Sequence, residues 1–294
     1  MSYPVQRLTI GGTPIEQFVI VLPVDPTPSE EYAAVRLQTY LKKATGASLY
    51  LAQMPPEYCI FLGRAAAVDR SRIRHDGFAI RADGKNLHLA GAIDRGTIYA
   101  VNAFLEKYIG VRIYSPGVER ILPAEAVDIP ACFEEVQNPV FSYRAHDWIA
   151  HTQDPDFAVW GKLNSFMSGI PEDKGGCVPI VGGCHTFARL CPPEKYFDEH
   201  PEYYSLWEGK RIPAGNVFDV PVGQLCLTNP DVLRIVTENV LQWIEQHPGC
   251  QVVDVSQNDN QRYCQCEECT RVNKEEDSLA GSLIRFVNKV AEAV

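Results

Sequence analysis

The sequence predicts an α/β protein: a small N-terminal α/β sandwich domain on a mixed sheet, followed by a (β/α) TIM-type barrel truncated after about four strands. Three observations carry this expectation. Two alternating runs, Phe78 to Ala82 and Asn86 to Ala90, flank Asp83-Gly84, a strong hairpin signal, and lie between two amphipathic helical patterns. Further on, short apolar runs are separated by long connections, the strand, crossover, strand order of a parallel sheet. At roughly 150 residues per domain, 294 residues correspond to about two domains with ample core and no need of disulfide staples.

The elements follow in order. Phe18 to Leu22 is a short apolar run. After Pro23, Pro26 and Pro28, Ser29 offers an N-cap with Glu30 and Glu31 in the first turn. Ala33, Ala34, Leu37, Tyr40, Leu41 and Ala44 then recur at helical spacing, and Gly46 stops the helix. Leu49 to Ala52 and Cys59 to Leu62 read as buried strands ahead of the hairpin. Ala100, Val101, Phe104, Leu105 and Tyr108 give a second helix, stopped by Gly110, and Val111 to Tyr114 is expected to return to the sheet. Pro116, Pro123, Pro130 and Pro139 punctuate a stretch that suits a surface linker, which places the domain boundary near residue 135, between 1–135 and 136–294.

In the second domain, runs at 140–146, 162–168, 177–181 and 251–256 read as buried strands. Asn229-Pro230 opens a helix carrying Val232, Leu233, Val236, Val240 and Ile244, closed by His247-Pro248-Gly249, and a last helix starts near Ser278. Ending there would leave open parallel-sheet edges, so the chain is expected to be a piece of a longer protein.

Lys plus Arg number 27 against 37 Asp plus Glu, a net charge of −10 with no basic stripe, which argues against nucleic-acid and anionic-membrane partners; the oligomeric state stays open. No basic and apolar leader opens the chain, and ten cysteines are scattered, so reduced thiols and a cytoplasmic setting are expected. Gly11-Gly12 and Gly182-Gly183 lack the frames of phosphate-binding loops, and nucleotide binding has no support.

Two segments carry a resemblance. GFAIRADGKNLHLAGAIDRGTIYAVNAFLEKYIGVRIYSP, with Arg95-Gly96-Thr97 after the hairpin, resembles the small α/β domain ahead of the catalytic barrel in α-glucuronidases and β-N-acetylhexosaminidases. HTFARLCPPEKYFDEHPEYYSLWEGKR, QLCLTNPDV and VSQNDNQRYCQCEEC, followed by Leu283 to Ala291, are similar to the bacterial family catalogued as domain of unknown function 4838, regarded as a barrel glycoside hydrolase. The resemblance implies a glycosidase with a carbohydrate substrate, its bond to a uronic acid or N-acetylhexosamine cleaved by carboxyl chemistry. The alternative is a non-catalytic glycan-binding or structural protein with a degenerate barrel site.

Barrel enzymes place their chemistry at the C-terminal ends of strands, and in the resembled hydrolases the fourth strand often ends in acidic residues, so Asp259 in VVDVSQNDN is the first catalytic candidate. Strict alternation would instead point Asp254, Ser256 and Asn258 inward, unless the strand has already ended. Asp147 in FSYRAHDW is the second carboxyl candidate, although that group could also lie beyond residue 294 or be replaced by the sugar's own acetamido group. Arg144, His146, Trp148, His185 and Asn258 are the candidate substrate-binding residues; Trp160, Tyr196, Phe197, Tyr203, Tyr204 and Trp207 supply further flat faces for sugars or for ordinary packing.

Cys264, Cys266 and Cys269 form C-x-C-x-x-C, three ligands of a structural zinc site that needs four, with Cys250 or a residue past the chain as the fourth. Reduced, packed thiols are the competing reading. No cofactor is required by the chemistry, and nothing in the sequence arranges a Cys-His nucleophile.

Overall fold

The computed structural model of the chain describes residues 3–52, 54–216 and 222–294. It is a mixed α/β structure that divides into two compact units, Met1–Val178 and Pro179–Val294.

The first unit is built on β1 (Val19–Val21), α1 (Pro28–Thr45), β2 (Leu51–Ala52), β3 (Cys59–Leu62), β4 (Phe78–Asp83), β5 (Leu87–Gly91), α2 (Asp94–Phe104) and β6 (Cys132–Gln137). Its six strands run in the order β6-β4-β5-β3-β1-β2. The β6, β4 and β5 strands pair antiparallel, and β5, β3, β1 and β2 pair parallel. Ile20, Ile60 and Leu89 from the sheet pack with Leu37, Leu41, Val101 and Phe104 from the helices in one buried core. Burying each such side chain is worth about 1.5–3 kcal/mol.

The N-cap of α1 lies two residues before Ser29. Thr27 is the N-cap: its hydroxyl accepts from the Glu30 N–H while the Glu30 carboxylate accepts from the Thr27 N–H at 2.9 Å. Gly46 ends the helix at φ 81°, a left-handed conformation that glycine reaches without strain. Gly96, at the start of α2, lies against Gly91 of β5 so closely that a Cβ on Gly91 would collide with the Gly96 backbone.

Three expectations need correction here. Val111–Ser115 does not rejoin the main sheet but pairs with Val118–Ile121 in a separate hairpin. The stretch read as a linker holds strands: Val127–Ile129 pairs parallel with Leu8–Ile10, and β6 forms an edge of the main sheet. The division also falls at 178/179 rather than near 135. Ala158, Val159, Trp160 and Ile170 are buried in the first core, and Tyr99 Oη and Asn102 Nδ2 donate to the Leu163 and Val159 carbonyls.

Of the four strands expected in the barrel half, 140–146 and 162–168 do not form ladders. They lie side by side, with the Asn164 N–H donating to the Arg144 carbonyl at 3.2 Å, while the Asn164 side chain accepts from the Arg144 N–H and donates to the Ser142 carbonyl. Among the described residues no barrel closes.

The second unit contains β7 (Ile180–Val181), β8 (Leu206–Trp207), β9 (Lys210–Arg211), α3 (Pro230–Gln246), β10 (Val252–Val253), α4 (Glu267–Glu275) and α5 (Gly281–Ala293). The β7 and β10 strands pair parallel, and β8 and β9 form a hairpin. Asn229 caps α3, its side chain accepting from the Asp231 and Val232 N–H groups. Phe187, Leu190, Tyr204, Val232, Val236 and Phe286 form the core. Among the described residues no helix is long and apolar enough to cross a membrane.

Candidate functional site

The β10 strand ends at Val253, so the alternation that would point Asp254, Ser256 and Asn258 inward and Asp259 away stops before any of them. The loop that follows is laced to the loop after β7. Asp254 N–H donates to the Val181 carbonyl, Thr186 Oγ1 donates to the Asp254 carbonyl, and Ser256 Oγ donates to Asp254 Oδ2 at 2.7 Å. Gly182, at φ 100°, permits this approach: a Cβ there would stand 2.9 Å from Thr186 Cγ2 and 3.1 Å from Asp254 Cβ.

Asn258 is fully buried and every end of its amide is used. Its Nδ2 donates to the Gly223 carbonyl at 3.0 Å, its Oδ1 accepts from the Ala188 N–H at 3.3 Å, and its N–H donates to Gln224 Oε1 at 2.9 Å. The expected sugar contact through this side chain is therefore corrected. It anchors the loop, and because residue 258 turns in, residue 259 turns out.

Asp259 is exposed, its N–H held by Asn216 Oδ1 at 2.9 Å. Its carboxylate borders an open cleft of about 420 Å³ shared with Trp207, Asn216, Asn260, Arg262 and Tyr263. The Trp207 and Tyr263 rings meet edge to face, with centroids 5.7 Å apart at 81°. Arg262 is fixed by its N–H to Asn260 Oδ1 and by Nη1 to the Val222 carbonyl. An adjoining hollow of about 470 Å³ shares Tyr263 and Leu279 with the cleft and carries Lys274 and Asp277. Sequence reasoning named Asp259 and Trp207 but missed Asn216, Arg262 and Tyr263, which sit beside recognisable motifs without a periodic signal of their own.

His185 lies at the same end of the unit in a left-handed conformation, φ 53°. Its N–H donates to Ser256 Oγ, and its Nδ1 lies 3.0 Å from the Gln257 carbonyl. A carbonyl only accepts, so Nδ1 carries the proton in that contact and Nε2 is the remaining acceptor.

Arg144, His146, Asp147 and Trp148 belong to the first unit. Arg144 is corrected from ligand-binding to structural: its guanidinium reaches Asp76 Oδ2 at 2.6 Å and the Lys162, Phe141 and Ser142 carbonyls. Asp76 is buried between Arg144 and Arg95, with Asn164 Nδ2 also donating to it. Burial alone would raise its pKa; Arg95, Arg144 and Asn164 outweigh that and hold it below the usual carboxylate range. His146 Nδ1 accepts from the Trp148 N–H, which leaves its proton on Nε2 when the ring is neutral. Asp147 and Trp148 are exposed.

The three cysteines of C-x-C-x-x-C have a fourth companion that spacing does not reveal. Cys226, 38 residues before Cys264, brings its Sγ to 3.7 Å from that of Cys266 and 4.0 Å from that of Cys269, and all four sulfurs lie within 4.8 Å of one another. Cys250, the expected fourth member, is not in the group. Hydrogen bonds from Cys264 and Cys269, with Arg211 adding to them, hold the Cys226 thiol well below the usual range. The bond to Cys226 and burial push Cys264 up to about 12.

The fold and cleft define an α/β chain with an open polar and aromatic site where a parallel strand pair ends. The family model described as "Domain of unknown function (DUF4838)" matches residues 113–294, and the chain belongs to that family. No curated protein matches the chain. Among solved structures it is similar to a family GH115 4-O-methyl-α-glucuronidase with specificity for decorated arabinogalactans, at 11% identity and a TM-score of 0.46, over 100% of this chain and 41% of that one. It is also similar to a Flavobacterium johnsoniae chitobiase, at 12% identity and a TM-score of 0.45, over 95% and 48% of the two chains. A third is a Bacteroides fragilis β-N-acetylhexosaminidase, at 16% and 0.40, over 98% and 60%. The chain thus spans between 41% and 60% of the length of these three structures. All three are glycoside hydrolases.

Proposed function

We propose that the second unit processes glycans, with Asp259 as a catalytic carboxyl in the hydrolysis of a glycosidic bond to a uronic acid or an N-acetylhexosamine. The observation that supports this reading is the shared cleft: an exposed carboxylate beside the Trp207 and Tyr263 rings and the Arg262 guanidinium. Sugar rings present apolar C–H faces that pack on flat aromatic rings. A carboxyl group beside them can protonate the glycosidic oxygen as its bond breaks, or take a proton from the attacking water. Arg262 offers a charged donor to a sugar carboxylate, the feature that favours a uronic acid.

A second carboxyl is needed unless the substrate supplies its own nucleophile, as an acetamido group can. Asp277, which lines the adjoining hollow with Tyr263 and Leu279, is the candidate in this unit. A second reading, glycan binding without turnover, is favoured by one specific fact: Asp259 is the only carboxylate among the described residues that line the cleft.

The test measures aryl release from a panel of aryl glycosides and uronides by the 294-residue chain and by Asp259→Asn, with calorimetric binding of the matching oligosaccharides. Turnover lost on substitution supports the hydrolase. Binding without turnover in both proteins supports the second reading. Turnover unaffected by substitution removes Asp259 from the chemistry.

A further inference from the structure

We propose that Cys226, Cys264, Cys266 and Cys269 bind one Zn²⁺ in a closed tetrahedral site whose task is to hold the wall of the cleft. The argument begins with distance. Four sulfurs about 2.3 Å from a common centre stand about 3.8 Å from one another. The Cys226 sulfur lies 3.7 Å from Cys266 and 4.0 Å from Cys269, and no pair of the four exceeds 4.8 Å. Disulfide partners would instead lie about 2.05 Å apart.

The surroundings suit thiolates. Four thiolates around a divalent ion leave two negative charges, and cations or N–H donors aimed at sulfur offset them. The Leu206 N–H donates to Cys264 Sγ at 3.4 Å, and Arg211 Nη1 lies 3.7 Å from the same sulfur. Cys266 is the N-cap of α4 and Cys269 lies in its first turn, at the positive end of a nine-residue helix. Thr228 Oγ1 stands 3.2 Å from Cys269 Sγ. With all four positions filled by sulfur, no site is left for water or substrate, which makes the role structural rather than catalytic.

The placement gives the ion its purpose. Cys226 leads into α3, Cys266 and Cys269 begin α4, and Cys264 is hydrogen-bonded to the β8–β9 hairpin. Residues next to the ligands face the cleft: Tyr263 immediately precedes Cys264, and Trp207 follows Leu206. The ion thus joins two segments, Cys226 ahead of α3 and Cys264 to Cys269 leading into α4, and the β8–β9 hairpin is tied to it through the Leu206 N–H and Arg211. This inference stands on the sulfur geometry and does not depend on what the cleft binds.

The test uses the full chain, purified under reductant without added chelator, and measures its metal content by elemental mass spectrometry. One zinc per chain is expected. Cobalt alone, added to protein stripped of metal, is expected to give thiolate-to-metal charge transfer and the strong d–d bands of tetrahedral coordination. Cys226→Ser is expected to weaken cobalt binding at least ~10-fold and to alter those bands. Cys250→Ser, outside the group, is expected to leave both unchanged. Because Cys226→Ser could fail to fold, the wild-type cobalt spectrum and zinc content are decisive on their own. Iron in place of zinc, disulfides in place of metal, no metal with an octahedral or absent cobalt spectrum, or an unchanged spectrum in folded Cys226→Ser would each overturn the proposal.

Discussion

The Leu206 N–H donates to the Sγ of Cys264 at 3.4 Å, and the next residue along, Gln265, donates its own N–H back to the Leu206 carbonyl at 2.7 Å. The two segments are clasped from both sides. Each presents an aromatic neighbour to the cleft, Trp207 on the hairpin strand and Tyr263 on the loop ahead of α4. The edge-to-face contact of those rings therefore depends on the sulfur site directly behind it. The side chains that line the cleft here are positioned by backbone hydrogen bonds and thiols that lie behind it.

Asp259 is exposed and anchored only through its backbone, so replacing its carboxylate with an amide should leave folding within about 0.5 kcal/mol of wild type. Hydrolysis should fall at least ~100-fold, the usual scale for a lost acid or base. Rates of aryl release set beside thermal unfolding midpoints check both halves.

Trp207→Ala should reduce oligosaccharide affinity by roughly 3- to 10-fold, the equivalent of ~0.5–1.5 kcal/mol of aromatic contact. The β8–β9 hairpin keeps its backbone bonds in this variant, so the loss should appear in calorimetry with little change in unfolding.

Asn258→Ala should destabilise the second unit by ~1–3 kcal/mol. It removes the acceptor of the Ala188 N–H and the shortest donor to the buried Gly223 carbonyl, which keeps only the longer contacts from the Gly215 N–H at 3.3 Å and Asn260 Nδ2 at 3.4 Å. Urea unfolding measures the cost. An unchanged midpoint would mean that solvent reaches this site.

Asp76 gives the first unit an acid-sensitive centre. Its folded pKa lies below the ordinary value of about 4, so its contribution to stability is complete above that value and fades as the pH falls through the folded one. Glu30, held down against its burial by Arg64, acts in the same direction. Asp76→Asn should cost ~3–5 kcal/mol, since it leaves Arg95 and Arg144 short of a buried partner, and should flatten the acid limb of the stability profile. Unfolding midpoints taken from neutral pH down to about pH 2 test the sign.

Local signals were readable wherever neighbours in sequence are also neighbours in space. The Asn229-Pro230 helix start, the Gly46 stop and the Cys59–Leu62 strand all depend on nearby residues, and each was placed from sequence. Long-range pairing was not legible. Cys132–Gln137 carries two glutamates and an irregular alternation of burial, because it is an edge strand whose partner lies some fifty residues earlier. The segment from 140 to 146 looked like a strand for its apolar content, yet Val140 and Phe141 are exposed and Asn164 takes up its backbone groups. At the site, strict alternation turns Asn258 inward and Asp259 away, as their burial has it, but an inward Asn258 reads as a sugar contact only until its partners are seen to be the Gly223 carbonyl and the Ala188 N–H. Cys226 escaped for the simplest reason: a ligand 38 residues away from its companions leaves no spacing to recognise.

The loop from 258 to 262 separates what must be kept from what can be exchanged. Asn258 and Asn260 hang it from the interior through Gly223, Gln224 and Gly215, while Asp259 and Gln261 look outward. Change at the outward Gln261 leaves the amide ladder beneath it, and so the scaffold, in place. A library randomised at 261 should therefore yield mostly folded proteins that keep the Asp259 carboxylate in place.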